Sequence, residues 1–380
     1  MKKIIVLTLA IISSIAIVMQ TKVDAGSSKL DVIFIHGFHA QMYFDKEYDN
    51  LSTLTENSKD TFKHWNKFFG QKTNVLHAPW DVKNTLVRNT SDPSDNRPGW
   101  QKVADRVLAH IENGYGSKGF LFITHSTGGL VADTMLSQCY FAKYSSNPKI
   151  KKYYKVWQKT VAMIHVASAA GGTTVANYAN DVVNGAGRIP FAKSIIKKFF
   201  PFIDFDKPES LGVGYDLQPS IARSENGSSY IRVPAFNIAG NGPMALNILK
   251  WFLKGEDDGL IAMHSACGGN KYGSYQSCTK SKAPDGRVRS RKAPDNYRYH
   301  YPYMMSMEGH LSLMNPGSSN HHGDKWKETE TLISNYGNWS NVQQDKRTTG
   351  RWFWKKTYYN VKNDERTIGE IIATHFNLYK

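Results

Sequence analysis

The chain has 380 residues, with 48 Lys and Arg against 32 Asp and Glu, a formal charge of +16, and 12% aromatic residues. That length supports one large α/β domain with a sizeable insertion, or two domains. The positive balance favours anionic surfaces such as lipid headgroups, polyanionic wall polymers or nucleic acid. The lack of zinc-finger spacing, of an RNP-like strand and of a long Arg-rich helix speaks against nucleic acid.

Taken in order, Lys2 and Lys3 precede an apolar run from Ile4 to Met19, and Val23-Asp24-Ala25 ends in a small-residue cleavage pattern. Residues 1–25 read as a secretory signal peptide cleaved after Ala25. The alternative is an uncleaved anchor, for which the run is short. No later segment approaches transmembrane length, so the mature chain, 26–380, is expected to be exported (secreted or periplasmic) and soluble or peripheral.

Leu30 to Gln41 is an apolar strand ending in His36-Gly37. Gly37 lets the backbone turn so that the next amide, Phe38, can face a nucleophile as an oxyanion donor. Residues 45–65 are polar, with a helix near their end. Lys72 to Pro79 reads as a second strand and Trp80 to Pro98 as a long polar loop. Val103, Val107, Leu108 and Ile111 lie at helical spacing, placing a helix over Gly99 to Asn113.

Leu121 to Val131, LFITHSTGGLV, organises the rest. An apolar strand runs into a turn with one serine, and a small-residue helix begins at once. T-x-S-x-G is a variant of the G-x-S-x-G nucleophile elbow, which holds a serine hydroxyl above a sheet edge. Gly128 and Gly129 let the following helix pass close to the strand. Thr124 stands where the motif has Gly, a departure that weakens it. The second oxyanion donor is the Thr127 amide. His125 is read as a packed neighbour of the serine, since adjacent strand side chains point to opposite faces. A helix over Thr127 to Tyr140 follows, and VAMIHVAS makes a buried parallel strand. Strand and helix alternate as in a mainly parallel sheet covered on both faces.

At I-H-G-F, T-H-S-T-G-G, V-A-S-A-A-G-G-T-T-V-A-N-Y (Val166 to Tyr178), D-L-Q-P (Asp216 to Pro219) and G-E-D-D-G-L-I (Gly255 to Ile261), the chain resembles the α/β-hydrolases of the secreted bacterial triacylglycerol lipase group. Ala169-Ala170 replace that group's usual Pro-His. The resemblance spans residues 30 to roughly 265. It implies the α/β-hydrolase fold, a mainly parallel central sheet with helices on both faces and an inserted cap or lid at about 180–230. It also implies a catalytic serine, acid and histidine in that order.

Asp258 matches the acid, directly before Gly-Leu and on a turn at a strand end; Asp257 is the competing neighbour. Of the histidines beyond it, His310 in SMEGHLSLMN resembles the family's short loop in which the histidine precedes a leucine. His300 and His375 come next. His264 lies too close to the acid, and His321 and His322 read as an exposed polar loop.

Arg188 to Phe205 mixes apolar residues, among them Phe191, Ile195, Phe199 and Phe200, with lysines. A short amphipathic helix broken by Pro201 would form a lid over Ser126, or equally a fixed cap. Cys267 and Cys278 are the expected disulfide in an exported chain, leaving Cys139 as a buried thiol, although three cysteines allow other pairings. Gly350 to Val361 reads as a strand or hairpin edge, and the last residues as a closing helix.

The expected activity is a serine esterase on lipid esters, at an anionic interface, with no metal or cofactor called for. An acyltransferase, a polyester or phospholipid hydrolase with the same triad, and a surface-binding module on a hydrolase scaffold are the alternatives.

Overall fold

Six strands form the sheet that carries the site, and the sequence explains why they pair in parallel. DVIFI in β1 (Asp31–Ile35) and FLFITH in β3 (Phe120–His125) are buried at every position, as is VLH in β2 (Val75–His77). TVAMIHV in β4 (Thr160–Val166) is buried at all but one. Strands covered on both faces read as such unbroken runs. The computed structural model describes residues 30–37, 69, 73–88, 95–185, 211–224, 231, 233–240, 252–253, 255–266, 299–306, 344–349, 356–361, 372–373 and 376–377.

With β5 (Pro234–Gly240) and β6 (Tyr299–Ser306), the strand order is β2-β1-β3-β4-β5-β6, every neighbour parallel. The chain leaves β1 toward β2 on one side and returns to place β3 on the other. Residues at the carboxyl ends of β1 and β3 therefore face the crevice where the winding reverses, the usual ligand position in open α/β sheets.

Between β2 and β3 runs α1 (Gly99–Glu112), which buries Val103, Ala104, Val107 and Leu108 and ends at Asn113 with Gly114 at φ 87°. After β3 comes α2 (Thr127–Phe141), buried along almost its whole length. A helix apolar all round belongs in the interior. A 3-10 turn (Ala142–Tyr144), α3 (Pro148–Lys151, capped by the Asn147 side chain) and α4 (Tyr154–Lys159) bring the chain to β4.

Beyond β4, α5 (Thr174–Val183), α6 (Val213–Asp216) and α7 (Pro219–Ser224) pack on one another, and α8 (Met263–Ala266) lies against β5. The D-L-Q-P stretch staples two loops. Buried Asp216 Oδ2 accepts the Leu86 N–H at 2.8 Å, and the Leu217 carbonyl accepts the Thr173 N–H at 2.7 Å. Among the described residues no helix is long and apolar enough to cross a membrane.

Sequence reading missed β6, whose YHYPYMMS carries Pro302 and no clean alternation. The expected C-terminal hairpin edge is present as antiparallel β7 (Gln344–Thr349) and β8 (Lys356–Val361). The second strand is shorter than 72–79. Near the C-terminus residues 372–373 and 376–377 are helical, and the Phe376 ring lies 4.9 Å from that of Phe69.

Candidate active site

Ser126 is the single residue between β3 and α2, at φ 53° and ψ −128°. A non-glycine residue there costs about 1–3 kcal/mol and persists only when its surroundings over-determine it. They do. Its N–H donates to the Val166 carbonyl at 3.1 Å, and its carbonyl accepts the N–H groups of Gly129 at 3.0 Å and Ala169 at 2.9 Å. The turn is thereby tied to α2 and to the loop leaving β4, where Ala167 also has a positive φ of 47°.

Three glycines permit the packing around it. A Cβ on Gly37 would lie 2.8 Å from Ser126 Cβ, which places the end of the β1 loop directly against the serine. A Cβ on Gly128 would lie 2.3 Å from the Ile35 carbonyl oxygen and 2.4 Å from that of His36, and one on Gly129 would lie 1.9 Å from Ser168 Oγ. Thr127 opens α2, where the first helical N–H groups lack intrahelical partners and can serve an anion.

His36 holds the β1 loop. Its Nδ1–H donates to the Gly37 carbonyl at 2.6 Å, its Nε2 accepts the Trp80 N–H at 3.4 Å, and Trp80 Nε1–H donates to the His36 carbonyl at 2.9 Å. The two rings stack at 5.2 Å. Burial lowers the His36 pKa to about 4, against the two backbone contacts that raise it. Burial also lowers His77 and His110, which lie beneath it; His110 Nε2 is 2.9 Å from the His77 carbonyl. His125 is buried, as expected of a packed neighbour.

Under the elbow lies a polar row the sequence reading did not find. Thr124 and His165 are register partners on β3 and β4, and Asn237 continues the row on β5. Thr124 Oγ1 is 2.7 Å from His165 Nδ1, and His165 Nε2–H donates to Asp133 Oδ1 of α2 at 3.1 Å. All four residues are fully buried. Thr124 thus has a use that Gly could not supply. The signal was available: a histidine inside the strand VAMIHVAS and a carboxylate inside an apolar helix both demand a buried partner.

On the acid side, Asp258 is fully buried, and its Oδ1 accepts the N–H groups of Leu260 at 3.0 Å and Ile261 at 2.7 Å. Asp257 is partly exposed and closes its own turn onto the Gly259 N–H at 2.8 Å. The loop after β4 connects this turn to the serine. Ala169 bonds Ser126 at one end, and at the other Thr173 Oγ1–H donates to the Leu260 carbonyl at 3.1 Å and Ser265 Oγ–H to the Gly172 carbonyl at 2.6 Å.

His264 is close to that loop but engaged. The Arg223 guanidinium donates to its Nδ1 at 2.9 Å, and burial with that cation lowers its pKa to about 3. His300 lies near the start of β6, paired with Ala235, at the sheet edge away from Ser126; Ser306 ends β6 on the serine's edge, four residues before His310. Buried Cys139 is a free thiol whose pKa burial raises. His310, Phe38, the 188–205 segment with Phe191, Ile195, Phe199 and Phe200, the Cys267 and Cys278 pair, His321, His322 and His375 lie outside the described residues. Among the described residues no group of three or more His, Cys, Asp or Glu side chains is placed to hold a metal ion.

No family model matches the sequence, and no curated protein matches it. Solved structures resemble it at low identity. Lipase BlEst2 of Bacillus licheniformis in its mature form is 14% identical over 63% of this chain and 79% of its own, with a TM-score of 0.39. Lipase 1 from Pelosinus fermentans is 12% identical over 75% and 93%, at 0.40. EstA from Clostridium botulinum is 13% identical over 78% and 85%, at 0.39. By its own parallel strand order, with a strained serine turn where the winding reverses, this chain has the α/β-hydrolase fold.

Proposed function

We propose that the protein is an exported serine esterase that hydrolyses carboxylic esters of lipids. The observation that carries this reading is Ser126, held at positive φ at the carboxyl end of β3 with Gly37 and Gly128 pressed against the turn. Such strain has a use when a hydroxyl must stand clear of the sheet for attack. Ser126 Oγ attacks the ester carbonyl while His310 takes its proton, and the Thr127 and Phe38 amides receive the developing oxyanion. His310 returns the proton to the departing alcohol. Water, activated by the same ring, then cleaves the acyl-enzyme. Asp258, buried with one oxygen occupied by two amides, holds the imidazole in the required tautomer.

A fluorophosphonate probe tests the reading. Wild-type protein labels at Ser126; Ser126→Ala does not label and loses hydrolysis of p-nitrophenyl esters, while Asp258→Asn keeps its fold and loses roughly three to four powers of ten in turnover. Hydrolysis by Ser126→Ala at the wild-type rate refutes the assignment. On the same reading the 188–205 segment is a lid whose apolar face turns onto lipid. The rate should rise abruptly where a short-chain ester forms micelles, and Phe199→Ser with Phe200→Ser should flatten the rise. A smooth saturation curve through that threshold means a fixed cap.

A further inference from the structure

The charge of this chain is not evenly spread. Between Asp133 and Asp181 the sequence has no acidic residue, while Lys143, Lys149, Lys151, Lys152, Lys155 and Lys159 fall within one short stretch. The fold gathers them at one end of the molecule. From Ser126, α2 runs back along the sheet, and the 3-10 turn, α3 and α4 close the path to the first residue of β4. This cluster therefore lies at the amino-terminal edge of the strands, roughly 20 Å from Ser126 by the length of α2.

Two of the lysines have internal duties. Lys152 pairs with Asp105 at 3.1 Å, and Lys159 Nζ donates to the Gly116 and Ser117 carbonyls at 3.0 and 3.1 Å. Lys149, Lys151 and Lys155 are exposed and, among the described residues, in no ion pair. Lys143 Nζ sits 3.8 Å from the centre of the Tyr140 ring and 4.5 Å from that of Tyr144, which is 71% exposed. Holding several ammonium groups together, with Asp105 paired to Lys152 alone among them, costs free energy in the unbound protein. A ligand of closely spaced negative charge removes that cost.

We propose that this end of the protein is a docking surface for a linear phosphate-chain polyanion, separate from the ester-cleaving edge. A lipid bilayer fits less well. Phe141 and Tyr144 are the large apolar side chains exposed there among the described residues, too little to insert. A membrane held at this end would also leave Ser126 facing away from it. Docked on a polymer, the protein keeps its serine edge free.

The test is retention on immobilised long-chain inorganic polyphosphate as salt is raised. Lys143, Lys149, Lys151 and Lys155, the four without such duties, give a slope of about −2.8 in log K against log salt, by the single-strand value for released counterions. Replacing Lys149, Lys151 and Lys155 together by Ala should reduce that slope by about 2 and leave hydrolysis of a soluble ester unchanged. Lys83→Ala, at the other edge, should bind as wild type. Ser126→Ala should also bind as wild type, so loss of the esterase reading leaves this surface standing. Three outcomes overturn the proposal: wild-type retention by the triple variant, phosphatidylglycerol vesicles binding through the same lysines more tightly than polyphosphate, or loss of ester hydrolysis in the polyphosphate-bound protein.

Discussion

Gly128→Ala isolates the contact between the serine turn and the β1 loop. Gly128 has an ordinary helical φ, so the added methyl carries no backbone penalty, and alanine is favoured over glycine in a helix by about 1 kcal/mol. The objection is steric. The new Cβ would lie 2.3 and 2.4 Å from two β1-loop carbonyl oxygens, and relief to an ordinary 3.4 Å contact needs a shift of about 1 Å. β1 cannot supply it, being hydrogen-bonded between β2 and β3. The first turn of α2 must therefore tilt outward, carrying Thr127 and opening the gap between Gly37 and Ser126. Overpacking of this kind costs about 1–3 kcal/mol, partly offset by the helix gain. A 1 Å misplacement of a catalytic group costs on the order of 100-fold in rate. Fluorophosphonate labelling and thermal unfolding, measured side by side, should show a labelling rate down by about two powers of ten with only a modest fall in Tm. Labelling within threefold of wild type would refute the reasoning.

Asp133→Ala leaves the buried His165 N–H without its acceptor and should destabilise by about 3 kcal/mol, whereas Asp133→Asn retains an oxygen there and should cost clearly less; equal denaturant midpoints for the two variants would remove the polar row as a structural element. The pH dependence follows from the lowered pKa values of His36, His77, His110 and His264. Each unfolded imidazole takes a proton near pH 6.5 while the folded one does not, so stability is level above about pH 6.5 and falls as pH drops toward 4. His36 alone, at about 4, contributes roughly 3 kcal/mol of that loss. A urea midpoint unchanged between pH 7 and 4.5 would contradict it.

The shape of the serine turn was legible because T-H-S-T-G-G encodes it locally: an apolar strand, one residue, two glycines and a small-residue helix. The parallel strands were legible for a similar reason, each being an unbroken buried run. β6 was not, since YHYPYMMS has neither alternation nor a pure apolar run, and its pairing with β5 is a tertiary fact. Thr124 illustrates the limit most plainly. Motif spacing shows only that it is not glycine. Its partner His165 lies on another strand and Asp133 on the next helix, so its use emerges when three elements meet. Asp258 is preferred to Asp257 in the sequence for its place directly before Gly-Leu, and the fold adds that it is the more deeply buried of the two.

Cys139 gives this fold a built-in reporter. The thiol is fully buried in the helix that begins at the serine turn, and burial raises its pKa, so a reagent reaches a reactive thiolate only when that helix opens. The rate of its modification in native buffer therefore measures the opening free energy of the half of the sheet that holds Ser126. The same seal keeps this sulfur out of thiol–disulfide exchange once the chain has folded, so the order of folding and oxidation decides whether it ever takes part.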